Sequence, residues 1–266
     1  MSRRDRYEKL WLRSHGAAER RLQTALRLYF SDQAERAAER IRNGVSTPDQ
    51  VLDWAAEHDS LIATVRPWLL RGAAQGASVE LALFEGRRPK KAADDGVASR
   101  FNLPADVFTA IDRTISQTMK QRYWQGVGAT TRANIHDALL AGIDEGDSQD
   151  QLATRIRQAL AGSGAEERAL TIARTESTGA LNGGHAAARE QLIQEGLVAG
   201  SEWSTMGDDI VREDHADADG QTIGAHDLFV VGGESCPYPG YFGLSAAQRI
   251  NCRCTHVAAG IFAADE

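Results

Sequence analysis

Apolar residues recur at intervals of three and four along most of the first two hundred positions, the spacing that gathers side chains on one face of an α-helix. Over residues 7–43 the set Leu22, Leu26, Tyr29 and Phe30 follows this rule, and Gly44 stands where a helix stops. The segment reads as one long helix or an amphipathic pair. Thr47-Pro48-Asp49-Gln50 joins a capping hydroxyl, a first-turn proline and a glutamine three residues on, a capping box that starts the next helix. That helix carries Leu61, Ile62, Val65, Trp68 and Leu69, with a break or kink expected at Pro67. Gly72 and Gly76 loosen the next stretch until an apolar face returns at Val79, Leu83 and Phe84.

Periodicity lapses over residues 86–100, where Gly86-Arg87-Arg88-Pro89-Lys90-Lys91 and Asp94-Asp95-Gly96 favour an exposed connection. Three regions are therefore expected: N-terminal helices over 1–85, a linker over 86–100, and a larger domain over 101–266. Helix resumes after Asn102-Leu103-Pro104 with Val107, Ile111 and Ile115, and again through Ile135 and Leu139 to Gly142. Ser148-Gln149-Asp150-Gln151 is a second capping box, ahead of the stripe Leu152, Ile156 and Leu160. A long helix comes next, over about residues 165–195, ended by Gly196, with Gly183-Gly184 inside it marking a kink or a close contact.

After Gly200 the period shortens. Residues 202–205, 228–231 and 252–257 read as short strands, with one small capped turn of helix at Ser245-Ala246-Ala247-Gln248. Such strands are too few to stand alone, so this module, over 200–258, should dock on the long helix before it. The fold class is mostly α with a C-terminal α+β module.

Composition supports the helical reading: 266 residues, 42% hydrophobic but only 6% aromatic, a balance that suits helices packed through small side chains. A net charge of -7 argues against the whole surface being a nucleic-acid footprint. Basic residues nevertheless crowd the start, from Arg3 to Arg42, while the chain beyond Gly200 is acidic; a solvated face on amphipathic helices is the preferred reading, and different partners for the two ends the alternative. Met1 to Leu10 lacks a following apolar segment of signal-peptide length, and no apolar run is long enough to span a bilayer. A reducing cytoplasm and no membrane are expected, and three cysteines do not make a disulfide framework.

All three cysteines lie in the terminal module. If residues 251–257 are extended, Cys252, Cys254 and His256 project from one face. With His215 and Cys236, and with His256 as a substitute, they offer enough soft donors for a zinc site. Two buried thiols in an ordinary core are the preferred alternative. The acidic run His215-Ala216-Asp217-Ala218-Asp219-Gly220 does not make a calcium loop, because His stands at the first ligand position and His226 at the twelfth. Asp219-Gly220 reads better as a left-handed turn with His215 bonded inside the module. Arg174 and Glu176, two apart on a helix, cannot pair with each other. We expect Arg174 to reach Asp208 or Asp209, and Glu176 to reach Arg212 or His215.

Taken in order, Arg174-Thr175-Glu176, Trp203, Asp208-Asp209, Arg212, His215, Gly220, Phe229, Tyr238-Pro239-Gly240 and Asn251-Cys252-Arg253-Cys254 form a set that resembles the phage Mu F-like minor head proteins, or head morphogenesis proteins. The similarity runs over roughly residues 129–256. It implies a low-copy, non-enzymatic component inside the virion head near the portal, assembled in the host cytoplasm. Such a component takes part in head assembly and in DNA packaging or ejection. Portal or major capsid protein would be its partner, with the N-terminal helices as the attachment, and packaged DNA is a further candidate. Two other classes compete. A metal-dependent or thiol hydrolase would use the His/Cys cluster, but no phosphate loop, His-Glu-x-x-His helix or nucleophile elbow accompanies it. A DNA-binding adaptor would act through the Arg-rich helices, where aromatics suited to base stacking are sparse.

Overall fold

A computed structural model of the chain describes residues 3–84 and 97–261. The first helix is unbroken, α1 (Arg3–Arg42). Pro48 opens only a single turn, α2 (Pro48–Val51), and the long helix starts later, at α3 (Trp54–Phe84). The reason is Asp53, whose Oδ1 accepts from the amides of Ala55 and Ala56 at 3.1 Å each and caps the new helix. α3 runs through Pro67, Gly72 and Gly76 without ending. Residues 86–96 of the expected linker lie outside the described residues, and the positions after them form α4 (Val97–Phe101).

α5 (Ala105–Met119), α6 (Arg122–Glu145), α7 (Gln149–Ala161) and α8 (Ser163–Gln194) come next. The box at Ser148 is present in full, with Ser148 and Gln151 each bonding the other's backbone amide. The remainder is β1 (Val198–Ser204), α9 (Glu213–Asp217), β2 (Thr222–Gly224), β3 (Phe229–Val231), β4 (Glu234–Cys236), α10 (Ala246–Arg249) and β5 (Thr255–Ile261). A mostly α chain with a small C-terminal α+β module is what the structure shows.

β1 is the centre of a three-stranded antiparallel sheet of order β2-β1-β5, with Trp203 opposite His256. β3 and β4 make a separate hairpin. Its two-residue turn, Gly232-Gly233, has φ of 54° and 78°, the left-handed pair that matches the twist of the flanking strands. The strand expected at 252–257 begins only at Thr255, so Cys252, Arg253 and Cys254 are irregular backbone.

The chain divides into two compact units, each discontinuous in sequence: residues 1–19, 68–118 and 172–266, and residues 20–67 and 119–171. This partition differs from the one expected from composition, because α1, α3 and α8 each contribute to both units. In the smaller unit Ala37, Ile41, Val51, Ile135, Leu139, Ile156 and Leu160 form the core. In the larger unit Trp203, Phe229, Val231, Cys236, Cys252 and Cys254 form one cluster, and Tyr7, Trp11, Leu181 and Val257 another. α3 and α8 meet there through small residues. A Cβ added at Gly184 would run into the carbonyl of Ala73, and one at Gly76 into that of Leu181. The glycine pair in α8 thus marks a close contact.

Candidate functional site

Thr175, Thr178, Asn182, His185 and Arg189 recur at three-to-four spacing on α8, and all are buried. A polar stripe shut away from water is costly unless every group is bonded. For Thr175, Thr178 and Asn182 the partners are chiefly backbone groups of the terminal module. Thr175 Oγ1 accepts from the Asn251 amide at 3.0 Å. Thr178 Oγ1 donates to the Cys252 carbonyl at 2.6 Å and takes a bond from His15 Nε2 at 2.9 Å. Asn182 Nδ2 donates to the carbonyls of Pro239 and Cys254, and Asn182 Oδ1 accepts from the Thr255 hydroxyl, each at 2.9 Å. Residues 251–254 have no strand partner, so α8 side chains supply what a neighbouring strand would have given.

Pro239-Gly240 crosses the helix where Gly179 leaves room. A Cβ on Gly179 would lie 2.7 Å from the Gly240 carbonyl, and Gly240 itself has φ of 75°. Gly220, at φ 77°, makes the expected left-handed turn and donates its amide to the Trp203 carbonyl at 2.9 Å. Trp203 is fully buried, edge-on to Phe229 and His215 at 5.3 and 5.8 Å.

Charged members of the motif find partners other than those expected. Arg174 pairs with Glu19 of α1 at 3.1 Å rather than with Asp208 or Asp209. Asp208 instead holds Arg253 through both carboxylate oxygens at 2.7 Å, while Asp209 is exposed. Glu176 does reach the module, but through Arg249 at 2.6 Å rather than Arg212 or His215. Arg212 donates to the Ile250 carbonyl. The reason is reach along the helix: residue 174 turns toward α1, whereas 176 lies under α10. Burial raises the Glu176 carboxyl and Arg249 opposes that rise.

A second buried group lies one turn further along α8. Arg189 meets Glu80 of α3 at 2.9 Å, Ser201 Oγ at 2.8 Å and His256 Nδ1 at 2.6 Å. His185 Nδ1 meets the Tyr7 hydroxyl and lies 3.4 Å from Glu80 Oε2. Burial, then Arg189, holds both His185 and His256 well below the usual imidazole range, so both rings are neutral near pH 7.

His215, Cys252 and Cys254 come together, their donor atoms all within 4.8 Å of one another. Cys236 and His256 do not join them. Cys236, at the end of β4, packs in the same core cluster as Cys252 and Cys254 without its sulfur joining the donor group, and His256 faces α8, bonded to Arg189 and to the Asn182 carbonyl. Cys252 and Cys254 do share one side, with Arg253 between them turned out to Asp208, but His256 is not on it, because β5 begins only at Thr255 and His256 is bonded toward α8. The Cys254 thiol, donating to Cys252, holds Cys252 below the usual thiol range against the opposing effect of burial. Burial pushes the Cys236 thiol up to about 12. His215, Cys252 and Cys254 are exposed by only 2%, 2% and 3%, so the cluster is packed shut rather than set in an open cleft.

Residues 133–257, which hold every motif position named here, match the family model described as Phage Mu protein F like protein. This segment is Mu F-like. The resemblance to Mu F-like phage head proteins, read from the ordered motif, is borne out over that stretch. Among curated proteins, "Uncharacterized protein YqbB" of Bacillus subtilis (strain 168) is 31% identical over 128 residues, 47% of this chain and 40% of the relative. The chain thus spans about two fifths of the length of the curated relative it matches. No solved structure matches the chain.

The site is completed from outside the Mu F-like segment. Tyr7, His15 and Glu80 bond its helix directly, and the Trp11 indole donates to the Arg253 carbonyl at 3.3 Å. Sequence reasoning missed Thr178, Asn182, His185, Arg189 and Glu80. The signal for the four on α8 was there, polar residues recurring at helical spacing along one helix. Nothing in the local pattern marks Glu80 as their partner.

Proposed function

We propose that this protein is a minor component of a phage head, acting through architecture rather than turnover. One observation carries the reading: the motif residues of the Mu F-like segment are taken up in contacts that hold its terminal module together and fasten it to α8, with Arg174 reaching α1. Arg174, Thr175, Glu176, Asp208, Arg212 and Arg253 are each engaged by another part of the same chain. Their positions answer the need to hold irregular backbone in place. The packed His/Cys cluster is consistent with this, since a hydrolase needs its nucleophile or metal-bound water to reach substrate.

In this reading the Mu F-like segment is a rigid platform, the N-terminal helices attach to portal or major capsid protein, and the chain sits inside the head near the portal. Among the described residues no helix is long and apolar enough to cross a membrane. DNA contact through α1 is the weaker reading, because Arg4 is already held by Glu8, Glu202 and Asp219, and Arg36 by Glu57.

The test is quantitative mass spectrometry of purified heads, with pull-downs against isolated portal and major capsid proteins. We expect the chain in heads at a small fraction of the major capsid copy number and retention by one of the two baits. Heads without the chain, or assembly unchanged when its gene is silenced, would overturn the reading.

A further inference from the structure

The His215, Cys252 and Cys254 group has the form of a metal site. His215 belongs to α9, and the two cysteines flank Arg253 ahead of β5. His215 Nδ1 lies 3.3 Å from Cys254 Sγ and 3.7 Å from Cys252 Sγ. A tetrahedral ion with bonds of about 2.3 Å to sulfur and about 2.0 Å to nitrogen spaces those donors by roughly 3.6 Å. The observed pair of distances brackets that value.

The tautomer of His215 points the same way. Gln248 Nε2 donates to Asp214 Oδ2 at 2.7 Å, and since a carboxylate oxygen only accepts, this fixes which way the amide faces. Gln248 Oε1 therefore turns to His215 Nε2, 3.0 Å away. An amide oxygen also only accepts, so Nε2 must carry the proton. That leaves the lone pair on Nδ1, directed at the two sulfurs. A carboxylate and an amide orienting a ligating imidazole through its far nitrogen is how metal sites set ligand direction.

Charge and space agree. Two thiolates and a neutral imidazole cancel a divalent ion, so the buried centre would be neutral overall. Beside the donors a cavity of about 20 Å³, bounded by Met206, Val211, Arg212 and Asn251 among others, has room for about one water. We propose that His215 Nδ1, Cys252 Sγ and Cys254 Sγ bind one zinc-type divalent ion, with a water in the fourth position, tying α9 to the irregular segment before β5. Binding releases the remaining thiol protons to solvent and involves no redox change. Cys236 and His256 lie outside the donor set. The proposal is independent of the head-protein reading and survives its failure.

Titration of the full-length, reduced, metal-free protein with cobalt(II) tests it. One equivalent should bind with sulfur-to-cobalt charge-transfer absorption of the intensity expected for two thiolates, and zinc should displace it. Cys236→Ser should keep the signal, while Cys254→Ser should halve it and weaken binding at least tenfold. His215→Gln should weaken binding without removing the charge transfer. A wild-type protein that gives no charge-transfer band overturns the proposal, as does a band lost in folded Cys236→Ser. If a ligand variant fails to fold, the wild-type stoichiometry and the Cys236→Ser control still decide the matter.

Discussion

Asn182 in α8 places one amide nitrogen 2.9 Å from two backbone carbonyls, those of Pro239 and Cys254, which lie fifteen residues apart in the chain. With its oxygen taken by Thr255, the side chain holds two separate turns of the terminal module and the start of β5 at once. Asn182→Ala leaves two carbonyls and a hydroxyl buried without this partner. We expect a loss of about 3 kcal/mol, read as a lower urea midpoint at unchanged slope. A loss below about 1 kcal/mol would mean that the module is held mainly by its own core.

The close approach of α3 and α8 depends on glycine at position 184, where a Cβ meets the Ala73 carbonyl rather than a movable side chain. Although alanine is the better helix former, Gly184→Ala should destabilise by about 2 kcal/mol through forced separation of the helices. Gly164→Ala, where a Cβ meets nothing within 4 Å, is the control and should be neutral or stabilising. Thermal unfolding of the two variants side by side checks this.

Glu176 and Arg249 are a buried pair, with side chains 1% and 7% exposed. Removing one partner strands a charge, so Arg249→Met should cost about 3 to 5 kcal/mol. Glu176→Leu combined with Arg249→Met should recover most of that loss. A double variant no better than Arg249→Met alone would show that the pair's role is geometric.

Arg174 and Glu19 make a contrast, being 28% and 17% exposed. Arg174→Glu should cost on the order of 1 kcal/mol, as solvent screens the new repulsion. Glu19→Arg in the same chain should restore it. A melting curve unmoved by Arg174→Glu would show that this contact adds nothing to stability.

The neutral ring of His185 makes stability depend on pH with a definite sign. Its folded value is depressed by burial and then by Arg189, and it is also faced by Tyr7, Trp11, Glu80 and His256. Stability is unaffected by this group above the unfolded value near 6.5. It falls as pH drops below that value, because the unfolded chain then binds a proton the folded one refuses. The fall levels off only below the depressed folded value. His185→Gln should reduce the slope of unfolding free energy between pH 6 and 5 by about 1.4 kcal/mol per pH unit, measured by urea titration at each pH.

Periodicity and turn chemistry were enough to place most helices, the second capping box and the small terminal strands, because each rests on interactions within a few residues. The motif residues were likewise legible as a group from their order. What the sequence alone determined was therefore local: α-rich segments, a Gly220 turn, and a polar module after one long helix. Three matters required the tertiary structure. The ion-pair partners came from elements distant in sequence, Glu19 for Arg174 and Arg249 for Glu176. The donor set at His215 excluded Cys236, which ends β4, and His256, which the buried Arg189 and the Asn182 carbonyl hold toward α8. The polar stripe of α8 became a buried seam only when the module closed over it, for a serial pattern shows which face a residue shares and not what will cover that face.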